Sequence, residues 1–434
     1  MRLNWFSPLP PQRTDIAHYT ARLGQALMDR FDVVFWTDQK VDAALIPKGA
    51  RIMTFGPGDL ETRAFHQAQL TGFNVYNLGN DARFHAGIAR AARRIPGVVI
   101  LHDTRLHHFA FGCASRENPP FSSYLEEAHE LYGPAGLEAA KDIVAAEGRT
   151  IDDHLQAMPF TESYLDTALA VICHSAAACG DLRARSNTPV LTLPLPFSSM
   201  APPPKDRRSF QPPWRLAAFG YMNTNRRLEP ILIALSTWAD APEFRFDIYG
   251  ALWDPVRIKD LIARLGLQDR VRVHGFVPEA VLDEAVASAH LVFNLRYPTM
   301  GEASGGILRC WAHATPALVT SEGWYNDLPD EVARKISVQA EITDLHAALN
   351  ALAHDPEAYE RMGCNGQSRV RDVHCPARYV DDLAEAFSDL SRLAVRFAAL
   401  RLLERAADRS WAPAHRNRLI DRACLIIPQM LAQG

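Results

Sequence analysis

No stretch of the sequence approaches the roughly 18 consecutive apolar residues that a membrane-spanning helix needs, so a bilayer-crossing chain is not indicated. Cysteine is sparse, with seven residues at 113, 173, 179, 310, 364, 375 and 424 and no CxxC pair. This odd, scattered set predicts neither a disulfide framework nor a zinc ribbon and fits a reducing compartment. Excess charge is also lacking: the formal net charge of -4 argues against a dedicated nucleic-acid partner. The opening MRLNWFSPLPPQR reaches two proline breaks before any apolar run of signal-peptide length, so a cytoplasmic location is expected. What is present is an ordinary globular composition, 48% hydrophobic and 22% charged. At about 150 residues per domain, the length allows two large domains or three ordinary ones.

The first forty residues set the class. LNWFS reads as a strand, Ile16, Tyr19, Leu23 and Leu27 recur at helical spacing, and VVFWT reads as a second strand. That is the strand–helix–strand unit of a parallel sheet. FNVYNL (73–78), GVVILHD (97–103), ALAVICHS (168–175) and PVLTLPL (189–195) continue the series with helical segments between them. Residues 1–200 are therefore predicted to form one doubly wound α/β domain. Residues 201–214, APPPKDRRSFQPPW, hold five prolines and read as an interdomain linker. A second alternating series then runs through RLAAFG (215–220), FRFDIYG (244–250), VRVHGF (271–276), HLVFNL (290–295) and PALVTS (316–321). It predicts a second Rossmann-like domain over 215–376, with C-terminal helices over 377–434.

The tail is basic where the rest of the chain is acidic. From Arg392 to the end there are eight arginines against three acids, a local +5. Leu393, Phe397 and Leu400 form an apolar stripe flanked by Arg392 and Arg396 on one side and Arg401 and Arg405 on the other. Such a helix either packs on the body with solvated arginines or lies on an anionic membrane, so 392–422 is a candidate for peripheral membrane contact.

Two parallel sheets facing each other converge their strand-end loops and helix N-termini on a cleft. Five such loops carry chemistry. FSPLPPQRTDIAHY (6–19) contains Asp15 and Ile16, LGNDARFH (78–85) contains Asn80, and LHDTRLHH (101–108) contains His102 and Asp103. FGYMNTNRR (219–227) brings Gly220, Asn223, Arg226 and Arg227 to the start of a helix, where arginines and free N–H groups suit a diphosphate. RYPTMGEASGG (296–306) offers Glu302 to accept hydrogen bonds from hydroxyls, and Ser304, Gly305 and a further glycine to admit a ligand closely; Glu302 or Ser304 could instead cap the helix.

These five blocks, with the continuation ILRCWAHATPALVTSEGWYNDLP, resemble the bacterial retaining glycosyltransferases of family four over roughly residues 2–375, in the family's order. The resemblance implies a GT-B fold, two Rossmann-like domains facing across a cleft with the acceptor on the first and the nucleotide-sugar donor on the second. It implies that Arg226 contacts the donor diphosphate, that Glu302 holds sugar hydroxyls and that His102 lies near donor sugar and acceptor. His102 would orient the substrates, with Asp103 fixing its tautomer. HGFVP (274–278) would read the nucleobase through backbone groups, making Val277 a candidate. No Asp-x-Asp pair occurs, in agreement with a transferase that needs neither metal nor cofactor.

Three positions depart from the family's pattern. The second carboxylate of its paired-glutamate motif falls at Arg309, or at Cys310 without a gap; Asp15 stands where relatives have glycine, and Tyr221 where they have arginine. The expected function is transfer of a sugar, with retention, from a nucleotide-diphosphate sugar to a saccharide or lipid-linked saccharide in surface polysaccharide synthesis. The alternative is a catalytically degenerate relative that serves as a binding or scaffolding subunit. The basic tail would place such an enzyme at the inner face of the plasma membrane.

Overall fold

The computed structural model describes residues 1–69, 72–146, 148, 150–198, 209–388 and 390. Most of the proline-rich linker and all of the basic segment 392–422 lie outside the described residues. Among those described, no helix is long and apolar enough to cross a membrane.

Among the described residues thirteen strands form two sheets, parallel throughout. The first contains β1 (Arg2–Phe6), β2 (Asp32–Thr37), β3 (Arg51–Thr54), β4 (Phe73–Leu78), β5 (Val98–Leu101), β6 (Ala170–Cys173) and β7 (Val190–Thr192), in the order β3-β2-β1-β4-β5-β6-β7. The second contains β8 (Trp214–Phe219), β9 (Phe244–Tyr249), β10 (Val271–Gly275), β11 (Leu291–Asn294), β12 (Ala317–Thr320) and β13 (Arg334–Ile336), in the order β10-β9-β8-β11-β12-β13. Several interior strands are buried along their whole length, as VVIL of β5, AVIC of β6 and ALVT of β12 show, because helices cover both sheet faces. The apolar runs in the sequence therefore mark these strands directly. β3 and β13 carry no such mark: RIMT is mostly exposed and RKI is three residues long, both at sheet edges.

Each sheet starts in its middle, steps to one edge, then crosses back to the other side. The reversals fall between β1 and β4 and between β8 and β11. At such switch points the loops leaving the strands part in opposite directions and open a crevice at the carboxyl ends. Four of the five loops singled out in the sequence leave these four strands, and the fifth leaves β5 beside them.

The domains are tied by two chain crossings. The His374 imidazole Nδ1 lies 2.7 Å from the Leu195 carbonyl, and the Phe197 N–H donates to the His374 carbonyl at 2.8 Å. The chain then returns to the first domain as a helical run over 376–388. Phe387 stacks on Phe73 at 5.4 Å, and the Tyr379 and Tyr19 hydroxyls are 3.0 Å apart. The C-terminal helix thus belongs structurally to the first domain.

Cys173 and Cys179 form a disulfide, contrary to the expectation from cysteine spacing. Cys173 ends β6 and Cys179 lies in the next helix, Ala176–Arg185, where one tight strand–helix turn brings their Cα atoms to 6.1 Å.

Two predictions follow from this packing. Gly250, just after β9, has φ +118°, and a Cβ there would collide with the Gly220 carbonyl. Gly250→Ala is expected to cost roughly 3 kcal/mol, from strained backbone and overpacking together, in urea unfolding; an unchanged midpoint would contradict the close approach of the two turns.

His85, His174 and His374 are buried, and burial lowers each to a pKa of about 4. The unfolded chain takes up protons below the ordinary value of about 6.5 while the folded chain does not. Their contribution is therefore complete above that pH and fades as pH falls towards about 4, by about 3 kcal/mol each. Asp103, raised to about 7, acts oppositely: its contribution is present in acid and lost as pH rises through about 7. Three histidines outweigh one carboxyl, so the urea midpoint should fall between about pH 7.5 and 5; a flat profile would contradict neutral buried imidazoles.

Candidate active site

A cleft of about 450 Å³ lies between the carboxyl ends of the two sheets. Its walls are held together around one turn. The Thr104 and Arg105 N–H groups both donate to the Met300 carbonyl, at 2.9 and 3.1 Å, and the Arg105 guanidinium donates to the Thr299 carbonyl at 2.6 Å. Gly301, with φ +78°, sits against Thr104, where any Cβ would collide with the threonine hydroxyl. Elsewhere the Tyr221 hydroxyl donates to the Arg13 carbonyl at 2.7 Å, and Arg22 pairs with Glu279 at 3.1 Å.

The wall formed by the second domain is positively charged. β8 ends at Phe219, Gly220 turns the chain with φ +116°, and a 3-10 turn, Thr224–Arg226, aims Arg226 into the cleft. Its guanidinium lies over Gly220 and donates to Asn294 Oδ1 at 3.4 Å. Burial, then the charge of Arg296, lowers its pKa to about 10, so it remains a cation at neutral pH. Arg296, two residues beyond the buried end of β11, lines the same wall and pairs with Glu302 Oε1. Glu302 Oε2 accepts from the Thr299 hydroxyl at 2.9 Å and the Met300 N–H at 2.6 Å. Burial alone would favour the protonated acid, but Arg296 and these hydrogen bonds hold Glu302 below its usual value.

Two guanidinium groups thus stand beside Glu302, and among the described residues Arg296 Nε is buried without a hydrogen-bond partner. Beside them starts the helix Gly305–Ala312. Ser304 caps it, its hydroxyl accepting from Ile307 N–H at 3.3 Å, so Glu302 is not the cap. The first-turn N–H groups have no partner within the helix, and the side of Gly305 opens on empty space. Guanidinium charge, a positive helix end and unhindered backbone together suit a phosphate group.

On the opposite wall Asp15 and Ile16 begin the helix Asp15–Arg30 and line the cleft, followed by Tyr19. Asp15 therefore faces the cleft, within electrostatic reach of Arg226 and Tyr221. His102 and Asp103 follow β5. His102 Nε2 is 3.0 Å from Asn77 Oδ1, so Asn77, not Asp103, fixes the imidazole. Burial and the neighbouring His174 and His85 depress the His102 pKa well below its usual value, leaving the ring neutral. Asp103 Oδ2 instead accepts from the Asn80 N–H at 2.8 Å.

Other candidates fall out as follows. Gly220, Asn223, Val277, Ser304, Gly305 and Arg309 all line the cleft. Asn80 sits behind it, its side chain accepting from Phe109 N–H at 2.9 Å. Arg227 does not reach the cleft: with φ +57° it turns away and pairs with Glu341 at 2.6 Å. Arg309 is buried and paired with Asp283 at 2.9 Å and with Glu279, so carboxylates of the helix Glu279–Ser288 stand beside the position that lacks its own. The sequence reading missed Arg296 and His174, although both carry a legible signal as polar residues just after buried strands.

No curated protein sequence matches the chain. Residues 226–385 match a family model described as glycosyl transferase-like. Among solved structures, sucrose-phosphate synthase from Thermosynechococcus elongatus superposes with a TM-score of 0.62 at 14% identity, over 90% of this chain and 99% of that one. Anabaena HepE in complex with UDP-glucose gives 0.59 at 14% identity, over 90% and 100%. WaaG, a glycosyltransferase involved in lipopolysaccharide biosynthesis, gives 0.52 at 13% identity, over 88% and 99%. The two parallel-sheet domains and the crossing C-terminal helix are the GT-B fold, and the glycosyl transferase-like match covers most of the domain that carries Arg226, Arg296 and Glu302.

Proposed function

We propose that the protein is a glycosyltransferase that moves the sugar of a UDP-sugar to a hydroxyl of a saccharide or lipid-linked saccharide, with retention of configuration, in the building of a surface polysaccharide. The observation that carries this reading is the pair of half-buried cations, Arg226 and Arg296, on the cleft wall beside the N-terminus of the helix Gly305–Ala312, with Glu302 paired to Arg296. The UDP-glucose held by HepE supports the choice of donor.

Transfer breaks the bond from the anomeric carbon to the diphosphate and leaves the electron pair on the departing phosphate, through an oxocarbenium-like transition state. Arg226, Arg296 and the helix N–H groups stabilise that developing charge without reorganising, which is where electrostatic catalysis gains most. In this reading they take the place of a metal ion, and the nucleotide sugar is substrate rather than cofactor. Glu302 uses three of its roughly four acceptor sites on Arg296, Thr299 and Met300, leaving Oε1 one for a sugar hydroxyl. His102, neutral and fixed by Asn77, orients the sugar and the acceptor.

The test is a donor screen read as nucleotide release by mass spectrometry, with UDP binding followed by calorimetry. Arg226→Ala and Glu302→Ala should abolish transfer; Glu302→Ala also strips Arg296 of its partner and should lower the urea midpoint, whereas Arg226→Ala should not. Arg296→Gln should weaken UDP binding about 10- to 100-fold, the size of one charge-assisted hydrogen bond. Near wild-type transfer in the first two variants would overturn the site. The second reading, a binding or scaffolding subunit without activity, draws on Arg309, whose guanidinium pairs with Asp283 and Glu279 at the wall. UDP-sugar binding without release from any donor would favour it.

A further inference from the structure

The two residues that follow β5 have opposite fates. His102 is held by Asn77 and its burial makes it a weak base, since desolvation disfavours the imidazolium. Asp103 keeps an oxygen in reserve. Its Oδ2 takes the Asn80 N–H, and among the described residues Oδ1 makes no hydrogen bond although the residue lines the cleft. Its place is fixed from both sides. The next residue, Thr104, is tied to Met300, two residues before Glu302, so the loops after β5 and β11 hold the two carboxyl groups on facing walls.

We propose that Asp103 is the base for the acceptor: its free Oδ1 takes the proton of the incoming hydroxyl. The step rests on the transferase reading above and balances as follows. The acceptor O–H bond breaks and its proton passes to Asp103, while the acceptor oxygen bonds the anomeric carbon. The bond from that carbon to the diphosphate breaks, its electron pair leaves with the nucleotide, and Asp103 returns the proton to solvent when the products depart.

The charged groups around Asp103 set when it can act. Glu302 and Arg296 face it from the loop after β11 and Asp15 from the helix Asp15–Arg30. His85, from the helix Ala82–Arg94, and His102 stand beside it as neutral imidazoles. Burial, then the Glu302 charge, raises the Asp103 carboxyl to about 7, whereas burial lowers the basicity of His102. Near neutral pH a base of that strength combines an ionised fraction with real proton affinity.

The experiment measures UDP release from UDP-glucose with water and a set of methyl glycosides as acceptors, across about pH 5.5 to 9. Wild type should show an acid limb with a midpoint near about 7. Asp103→Asn, which can still accept from Asn80, should lose about 10²- to 10⁴-fold in kcat together with that limb, at unchanged UDP affinity. Asp103→Ala should regain rate, about 10-fold or more, when formate is added as a diffusible base. Wild type that releases no nucleotide from any donor overturns the transferase reading and this inference with it. An active wild type with Asp103→Asn within about 3-fold of its kcat overturns this inference alone and leaves the proton to the departing phosphate oxygen. A slow variant that keeps the acid limb, with no formate rescue, overturns it too, by making Asp103 merely structural.

Discussion

Two half-buried arginines, Arg226 and Arg296, stand together where the second sheet reverses direction, with Glu302 paired to Arg296 and Asp15 facing Arg226 from the other wall. Burying one cation beside another is costly unless charge of the opposite sign is at hand. Glu302 neutralises one of the two, and the helix Gly305–Ala312 adds the positive end of its dipole on the same side. The wall is therefore left with an excess of positive potential in a partly dry site, where electrostatic attraction is strong. Its complement is an anionic group. Every other feature of the second domain near the cleft serves this arrangement. Gly220 has no side chain to obstruct Arg226, Asn294 bridges Arg226 to Ser304 and Tyr325, and Ser304 caps the helix instead of leaving Glu302 to do so.

That potential acts only if the first domain closes over it. The Thr104–Met300 and Arg105–Thr299 contacts clasp the walls at one point, Arg22–Glu279 and Tyr221–Arg13 at two others. All are polar and, apart from the backbone pairs, made by exposed or half-buried side chains, which separate at little cost in water. The apolar attachment lies elsewhere, where the helical run over 376–388 docks Tyr379 and Phe387 on the first domain and His374 holds Leu195. Strong packing at the crossings with weak polar contacts at the mouth is the distribution of a clasp that opens about its crossings.

How much of this the sequence disclosed depends on range. Interior strands such as VVIL and AVIC announce themselves because burial on both faces demands unbroken apolar runs, while the edge strands β3 and β13 have no such demand placed on them. Strand-end loops were legible for the same reason, since they begin where the runs stop. Orientation was not. Arg226 and Arg227 are adjacent and chemically equal, and what separates them is a left-handed turn at 227 and Glu341, 114 residues away. Arg296 stood in a loop already under suspicion, but its significance depends on Arg226 facing it across two strands. The Asn77 partner of His102 is likewise a product of strand placement, invisible to spacing alone.

The same dependence on placement separates the two carboxyl groups of the cleft. Glu302 is buried and Asp103 half-buried, close enough to feel each other's charge, yet they are driven apart in acidity. Glu302 receives a guanidinium, a hydroxyl and an amide N–H, and stays ionised. Asp103 receives one amide N–H and the repulsion of Glu302, and holds its proton more tightly. Ionised Glu302 is itself part of what raises Asp103. One fixed anion and one proton-exchanging acid is the division of labour that two carboxyl groups adopt when their surroundings differ. In this molecule the difference comes from Arg296: by pairing with Glu302 across the end of β11 it leaves Asp103 as the carboxyl that can give and take a proton near neutral pH.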